Sequence, residues 1–167
     1  LSNIVGRKKF MRKSELKNHL KILEEVANSY YFKNPNYHFI VSLTEESSLS
    51  ENSYLKKENI SLIKGNTREV LKACDYAIVS SGTATLEAML SKTPFCVIYK
   101  SNPISNFLIT NILLQLDYIS LPNILANKKI VPELRQEDLK INKVIEELDY
   151  LIDSSNEVMI QEFKALH

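Results

Sequence analysis

The sequence predicts an α/β fold, a Rossmann-like parallel sheet with helices on both faces. Strand-like and helix-like patterns alternate along most of the chain, and the connections between them are short. In addition, the apolar run Tyr76–Val79 breaks at Ser-Ser-Gly-Thr, directly before a helical pattern. Small-residue turns of this kind between a strand and a helix are typical of such sheets.

The predicted elements follow in order from the first helix onward. Apolar residues recur at helical spacing from Leu16 to Tyr30, and Asn34-Pro35 ends that helix. The polar segment from 44 to 59 predicts a short solvated helix. Other predicted strands lie at 37–43, 60–63, 76–79, 95–99 and 118–121, and other predicted helices at 68–74, 83–91, 103–115, 141–152 and 157–166. Turns that follow parallel strands share one edge of the sheet, which predicts a ligand site there.

Length and composition limit the function classes. A chain of 167 residues supports one domain, and a formal charge of +1 without a basic, aromatic-rich face argues against nucleic-acid binding. Cys74 and Cys96 lie in apolar segments and are interpreted as reduced core residues, which favours a cytoplasmic protein. The three histidines are scattered along the chain, so no metal site is predicted.

The longest apolar segment predicts no membrane span. It runs from Ile104 to Leu116 and is too short to cross a bilayer. Polar residues at 106, 110 and 115 give the predicted helix one wet stripe. A core or subunit-interface helix is the favoured interpretation, and a membrane-facing patch is the alternative.

The turn after the strand at 76–79 predicts an anion site. A helix that begins there presents backbone N–H groups and the positive end of its dipole. Gly82 allows close approach of a ligand, and either Ser81 or Thr83 is able to cap the helix and donate to a phosphate. An ordinary capped strand-to-helix turn is the alternative.

Longer blocks around this turn carry a family resemblance. Residues 81–90 are followed, at characteristic distances, by blocks at 93–100, 102–108, 117–126, 131–134 and 136–137. In this order the blocks closely resemble lipid-A-disaccharide synthase, an inverting glycosyltransferase of the GT-B fold. Ser-Gly-Thr-Ala-Thr-Leu-Glu alone fits several GT-B relatives, whereas Tyr-Ile-Ser-Leu-Pro-Asn and Val-Pro-Glu-Leu are more specific. The resemblance implies that the chain is the C-terminal, nucleotide-sugar-binding half of such an enzyme.

The resemblance also implies a reaction. The donor would be the lipid UDP-2,3-diacylglucosamine, the acceptor 2,3-diacylglucosamine 1-phosphate, and the products UDP and the β-1,6-linked disaccharide 1-phosphate of lipid A biosynthesis. Fixed dipoles and a cation are able to stabilise departing UDP, so no metal or other cofactor is expected. Such an enzyme is expected in the cytoplasm, peripheral on the inner face of the bacterial inner membrane, with homodimer formation as a further expectation.

Carried onto this sequence, the resemblance names a set of UDP-binding residues. Glu87 would bind ribose hydroxyls, although a solvent-facing helix glutamate is the alternative. Asn123 would contact uracil or phosphate because its loop leaves the amide available; a plain turn asparagine is the alternative. The full expected set is Arg12, Ser81, Gly82, Thr83, Glu87, Asn123 and Gln136; Gln136 and the additional candidate Glu133 fall in the tail motif and are the weaker candidates.

The chain departs from the family pattern at its beginning. The family has Pro-Gly-Ser-Arg before the first helix, and here the best match is Arg12-Lys13-Ser14-Glu15, which makes Arg12 the expected diphosphate cation. A second register, Ile4-Val5-Gly6-Arg7, keeps the glycine but shifts the helix. The resemblance implies that this chain lacks the family's N-terminal half, which is expected to supply the catalytic base. The chain alone is therefore expected to bind nucleotide weakly and to be inactive.

Two other functions remain open. One keeps the GT-B domain but changes the reaction, to a UDP-N-acetylglucosamine epimerase or a cell-wall glycosyltransferase; the block at 118–123 argues against it. The other is a non-catalytic binding or dimerisation module that uses the helix at 104–116 and the C-terminal helices.

Overall fold

Six parallel strands form one sheet in the computed structural model, which describes residues 3–7, 13–43, 59–100 and 117–167. The strands are β1 Asn3–Arg7, β2 His38–Leu43, β3 Ile60–Lys64, β4 Tyr76–Ser80, β5 Phe95–Tyr99 and β6 Glu133–Arg135. Their order in the sheet is β3-β2-β1-β4-β5-β6, and all five neighbouring pairs are parallel. This arrangement confirms the predicted fold class.

The helices cover both faces of this sheet. Consecutive residues of β4 and β5 are buried, as expected for strands enclosed on two sides. The helices are α1 Lys13–Lys33, α2 Thr67–Ala73, α3 Thr83–Ser91, α4 Leu121–Ala126, α5 Ile141–Asp153 and α6 Glu157–Ala165. Helix α1 packs against α5, and in a second group α2 packs against α3 and α3 against α4.

The C-terminal helices complete the core, as the sequence predicts. Leu148 and Leu151 of α5 are fully buried. The ring of Phe163 on α6 stacks on Phe95 of β5, with a centroid distance of 5.6 Å. The hydroxyl of Tyr30 on α1 donates a hydrogen bond to Asp149 on α5 at 2.5 Å. Helices from the two ends of the chain therefore pack together.

Most predicted elements match the structure to within a few residues, but one prediction is wrong. No strand forms at 118–121; α4 begins at Leu121 instead, and the last described strand is β6. Pro122 suits the first turn of a helix because its missing N–H needs no partner there, and Asn127 ends the helix in a left-handed conformation. The predicted elements at 103–115 and 44–58 lie outside the described residues.

The start of the chain fits the first of the two registers better than the second. The second register places Gly6 in a turn before the first helix, whereas Gly6 lies within strand β1 and pairs with Val41 and Ile78. Helix α1 begins at Lys13, which directly follows Arg12 in the sequence, as the first register requires.

Both cysteines are expected to resist modification while the chain is folded. Cys74 is 8% exposed and Cys96 is fully buried, and burial raises the pKa of each thiol to about 12. Titration with a thiol-reactive dye in native buffer should therefore detect almost no thiol, and titration in denaturant should detect both. Rapid labelling of the native chain would contradict this burial.

The raised thiol pKa values also make stability depend on pH. The thiols of the unfolded chain ionise above about pH 8.5, whereas those of the folded chain stay protonated there, so the free energy of unfolding should fall as the pH rises through that value.

Candidate functional site

The predicted anion site lies where the strand order reverses. Strands β1 and β4 are neighbours in the sheet, and the chain runs outward from them in opposite directions. At such a switch point the connections diverge and leave a crevice at the carboxyl ends of the strands. Strand β4 ends there at Ser80, the turn Ser81-Gly82 follows, and α3 begins at Thr83.

The N-terminus of α3 is open to a ligand. Its N-cap residue is Gly82, which has no side chain to cap the helix, and both Gly82 and Thr83 are exposed. A Cβ atom placed on Gly82 would meet no other atom within 4 Å. The φ angle of Gly82 is 124°, a conformation that favours glycine. Backbone N–H groups at the start of this helix and the positive end of its dipole can thus bind an anion.

The hydroxyl of Ser81 has a role other than the predicted cap. It donates a hydrogen bond to the carbonyl oxygen of Ile119 at 3.0 Å. A buried residue that the sequence did not single out, Thr85, makes a second connection of the same kind. Its hydroxyl donates to the Gly82 carbonyl oxygen at 2.7 Å and accepts a hydrogen bond from the N–H of Leu121 at 3.2 Å. The turn is therefore tied to the segment 119–121.

The other expected site residues are spread along the same edge. Glu87 lies on α3 one helical turn after Thr83 and is half-buried. Gln136 directly follows β6, which stands two strands, or about 10 Å, from β4. Arg12 lies outside the described residues. Ser81, Gly82, Thr83 and Glu87 are thus brought together, and Gln136 shares their edge at a distance.

Asn123 is not available to a ligand in this structure. Its side chain is fully buried, and the expectation that its amide is free is wrong. The amide oxygen accepts hydrogen bonds from the N–H groups of Ile130 and Val131, at 2.7 and 2.9 Å. The amide nitrogen donates to the Val131 carbonyl oxygen and to Glu133, both at 2.9 Å. Asn123 therefore holds the chain between α4 and β6.

Glu133 stands at the centre of a buried polar network. Its side chain is 6% exposed and accepts hydrogen bonds from the backbone N–H groups of Ile119 and Ser120, the Ser120 hydroxyl, the Asn123 amide and the guanidinium of Arg135. Burial alone would raise the pKa of Glu133. The hydrogen bonds from Ser120, Arg135 and Ile119 outweigh that effect and lower its pKa below the usual value.

Ser120 and Arg135 are members of this network that the sequence analysis missed. Arg135 also donates to the carbonyl oxygen of Asp117. The sequence did contain a signal for this network: Glu133 follows an apolar run that contains Ile130 and Val131, which indicates that its carboxylate is buried. Buried carboxylates need partners, and the hydroxyl of Ser120 was one of the few polar groups in the preceding block.

Comparison with known proteins decides the family. A family model described as lipid-A-disaccharide synthetase matches residues 10–167. The chain belongs to this family. Lipid-A-disaccharide synthase 2 of Legionella pneumophila (strain Paris) is 35% identical over 165 residues, which cover 93% of this chain and 42% of that protein. Lipid-A-disaccharide synthase of Haemophilus influenzae (strain PittEE) is 39% identical over 144 residues, which cover 80% and 37%.

This member of the lipid-A-disaccharide synthetase family spans about two-fifths of the length of those relatives. Solved structures show the same fold at low sequence identity. The glycotransferase of kitacinnamycin has a TM-score of 0.62 at 12% identity, covering 99% of this chain and 38% of that one. Spinosyn rhamnosyltransferase SpnG, complexed with thymidine diphosphate, has a TM-score of 0.62 at 13% identity, covering 99% and 40%. These neighbours are GT-B glycosyltransferases, which confirms the predicted fold class.

Two further findings concern only the parts of this family member that the structure describes. No group of three or more histidine, cysteine, aspartate or glutamate side chains there could hold a metal ion. None of the helices in those parts has the length and apolar character needed to cross a membrane.

Proposed function

We propose that this chain is the donor-binding half of a lipid-A-disaccharide synthase. The complete enzyme would transfer 2,3-diacylglucosamine from UDP-2,3-diacylglucosamine to 2,3-diacylglucosamine 1-phosphate, releasing UDP. Family membership supports the reaction, and one structural observation supports the role of this half. That observation is the open, glycine-capped N-terminus of α3 at the switch point of the sheet.

Stabilising the leaving group is the chemistry this site can supply. Negative charge develops on the diphosphate as the bond to the sugar breaks, and N–H groups already aligned at a helix N-terminus stabilise it without reorganising. Ser81, Gly82 and Thr83 would contact the diphosphate, Glu87 the ribose hydroxyls, and Arg12 would supply the cation. Gln136 stays a proposed uridine contact, and no metal is required.

A second half is needed to complete the proposed reaction. Direct displacement with inversion requires a base that activates the acceptor hydroxyl on the opposite side of the sugar. We assign no residue of this chain to that role, so the base would come from another Rossmann-like domain. By itself the chain should bind UDP without turning over the lipid substrates.

Contact with the cytoplasmic face of the inner membrane is part of the same proposal. Ile124 and Leu125 of α4 are 46% and 58% exposed, and the exposed Lys128 and Lys129 follow them closely. Lys128 pairs with Glu162, so Lys129 is the lysine that would meet anionic lipids beside these exposed apolar side chains, and a lipid donor would have to be reached there. Pairing of two chains is a further proposal, to be tested by light scattering with and without UDP.

Calorimetric titration of the chain with UDP, with ADP as the control nucleotide, tests the proposed site. We expect the parent chain to bind UDP and Gly82→Ala to lower the UDP affinity at least about tenfold. The added methyl group would enter the space left for phosphate, and alanine would strain the positive-φ backbone of this position. Gly65→Ala is the matched control, since Gly65 also has a positive φ, of 67°, but lies after β3.

Gly65→Ala should lose stability and keep UDP affinity. Equal UDP affinities in Gly82→Ala and the parent chain would contradict the assignment of the diphosphate to this turn. Absence of UDP binding by the parent chain at millimolar concentration would contradict the proposed function itself.

A further inference from the structure

We propose that Glu133 is a positioning residue for the diphosphate turn, acting through the segment 119–121. The inference rests on the proposed function and extends it to a group that does not contact the nucleotide. Its basis is a continuous series of hydrogen bonds that joins the buried carboxylate of Glu133 on β6 to the backbone of Gly82 at the start of α3.

The first step of this series joins Glu133 to the segment. One carboxylate oxygen accepts from the N–H of Ser120 at 2.9 Å and from the Ser120 hydroxyl at 2.6 Å. The N–H of Ile119 donates to both oxygens, at 3.1 and 3.0 Å. Two consecutive peptide groups and one side chain are thus oriented by a single carboxylate.

The second step joins the segment to the turn. The carbonyl oxygen of Ile119 accepts the hydroxyl hydrogen of Ser81, and the N–H of Leu121 donates to the hydroxyl of Thr85. Thr85 in turn contacts the Gly82 carbonyl oxygen through its hydroxyl at 2.7 Å and its N–H at 3.0 Å. A shift of the segment would therefore move the residues on both sides of Gly82.

A neutral side chain of the same size cannot make all the hydrogen bonds of the Glu133 carboxylate. The donors around it come from Ile119, Ser120, Asn123 and Arg135, and a carboxylate consists only of acceptors. A glutamine of the same size would turn an N–H₂ group toward some of these donors. A lone buried carboxylate would also repel a diphosphate, but Arg135 approaches Glu133 to 2.6 Å and balances its charge. The pair therefore orients the segment without adding net charge.

Glu133→Gln and Tyr30→Phe form the test pair. Tyr30→Phe removes a buried hydroxyl that bonds Asp149 between α1 and α5, away from the turn. The measurements are the backbone amide resonances of Gly82 and Thr83 by NMR, the UDP affinity by calorimetry, and the urea midpoint of each variant. We expect Glu133→Gln to move both resonances and to weaken UDP binding about tenfold. Tyr30→Phe should lower the midpoint and change neither resonances nor affinity.

Unchanged resonances and UDP affinity in folded Glu133→Gln would overturn the inference. Should that variant fail to fold, Ser120→Ala removes a hydrogen bond at the Glu133 end of the same series; Ser120 is fully buried. Its Gly82 resonance should move, and an unmoved one would overturn the inference. If the parent chain does not bind UDP, the proposed function fails, while the two amide resonances still decide whether Glu133 positions the turn.

Discussion

Replacing Asn123 with alanine should lower the free energy of unfolding by about 3–5 kcal/mol. The change removes four hydrogen bonds at a fully buried position. It leaves the N–H groups of Ile130 and Val131 without their acceptor, and Val131 is fully buried. Each buried group left unpaired costs about 1–3 kcal/mol, and the lost side-chain volume adds a cavity.

Urea denaturation followed by circular dichroism measures this loss, and Asn127→Gly is the matched control. Asn127 ends the same helix with a φ of 50°, a conformation that glycine adopts easily, so its replacement should change stability by less than about 0.5 kcal/mol. An Asn123→Ala variant as stable as the parent chain would contradict the structural role. Loss of UDP binding in Asn123→Ala would not identify a ligand contact, because the turn is joined to α4 through Thr85.

Helices and strands with a clear apolar pattern were predictable from the sequence, whereas the structure of the short segment at 118–121 was not. Helix α3 and strand β5 have the bounds that their apolar patterns predict. The run Tyr118–Leu121 is too short for periodicity to separate strand from helix. Pro122 does not decide between them, because proline ends a strand but is equally suited to the first turn of a helix, where α4 places it.

In the candidate site, too, the residues defined by local pattern were predictable, and the residue that depends on distant partners was not. Ser81, Gly82 and Thr83 are contiguous and follow a strand, so their place at the sheet edge follows from local pattern and from the topology of parallel sheets. The role of Asn123 depends on partners several residues away, at Val131 and Glu133, and on complete burial. Residue type and neighbours do not reveal whether an amide faces a ligand or the protein's own backbone, since both supply the same donors and acceptors.

Acid should selectively remove the contribution of Glu133 to stability. Because its hydrogen bonds lower the pKa of Glu133 in the folded chain, the folded state holds the carboxylate charged after the unfolded chain has begun to bind a proton. The contribution is therefore complete above the unfolded glutamate pKa of about 4.3 and is lost as the pH falls through the folded pKa. Near neutral pH, Glu133→Gln should cost about 2–4 kcal/mol, since it leaves buried donors and Arg135 poorly paired.

The measurement is a set of urea unfolding curves for the parent chain and Glu133→Gln, from neutral pH to the lowest pH at which both fold. The difference in unfolding free energy should stay constant down to about pH 4.3 and shrink below it. Glu162→Gln is the control, because Glu162 makes a more exposed ion pair with Lys128 and should matter by less than about 1 kcal/mol. A difference that does not shrink in acid would show that Glu133 contributes through its shape and not through its charge.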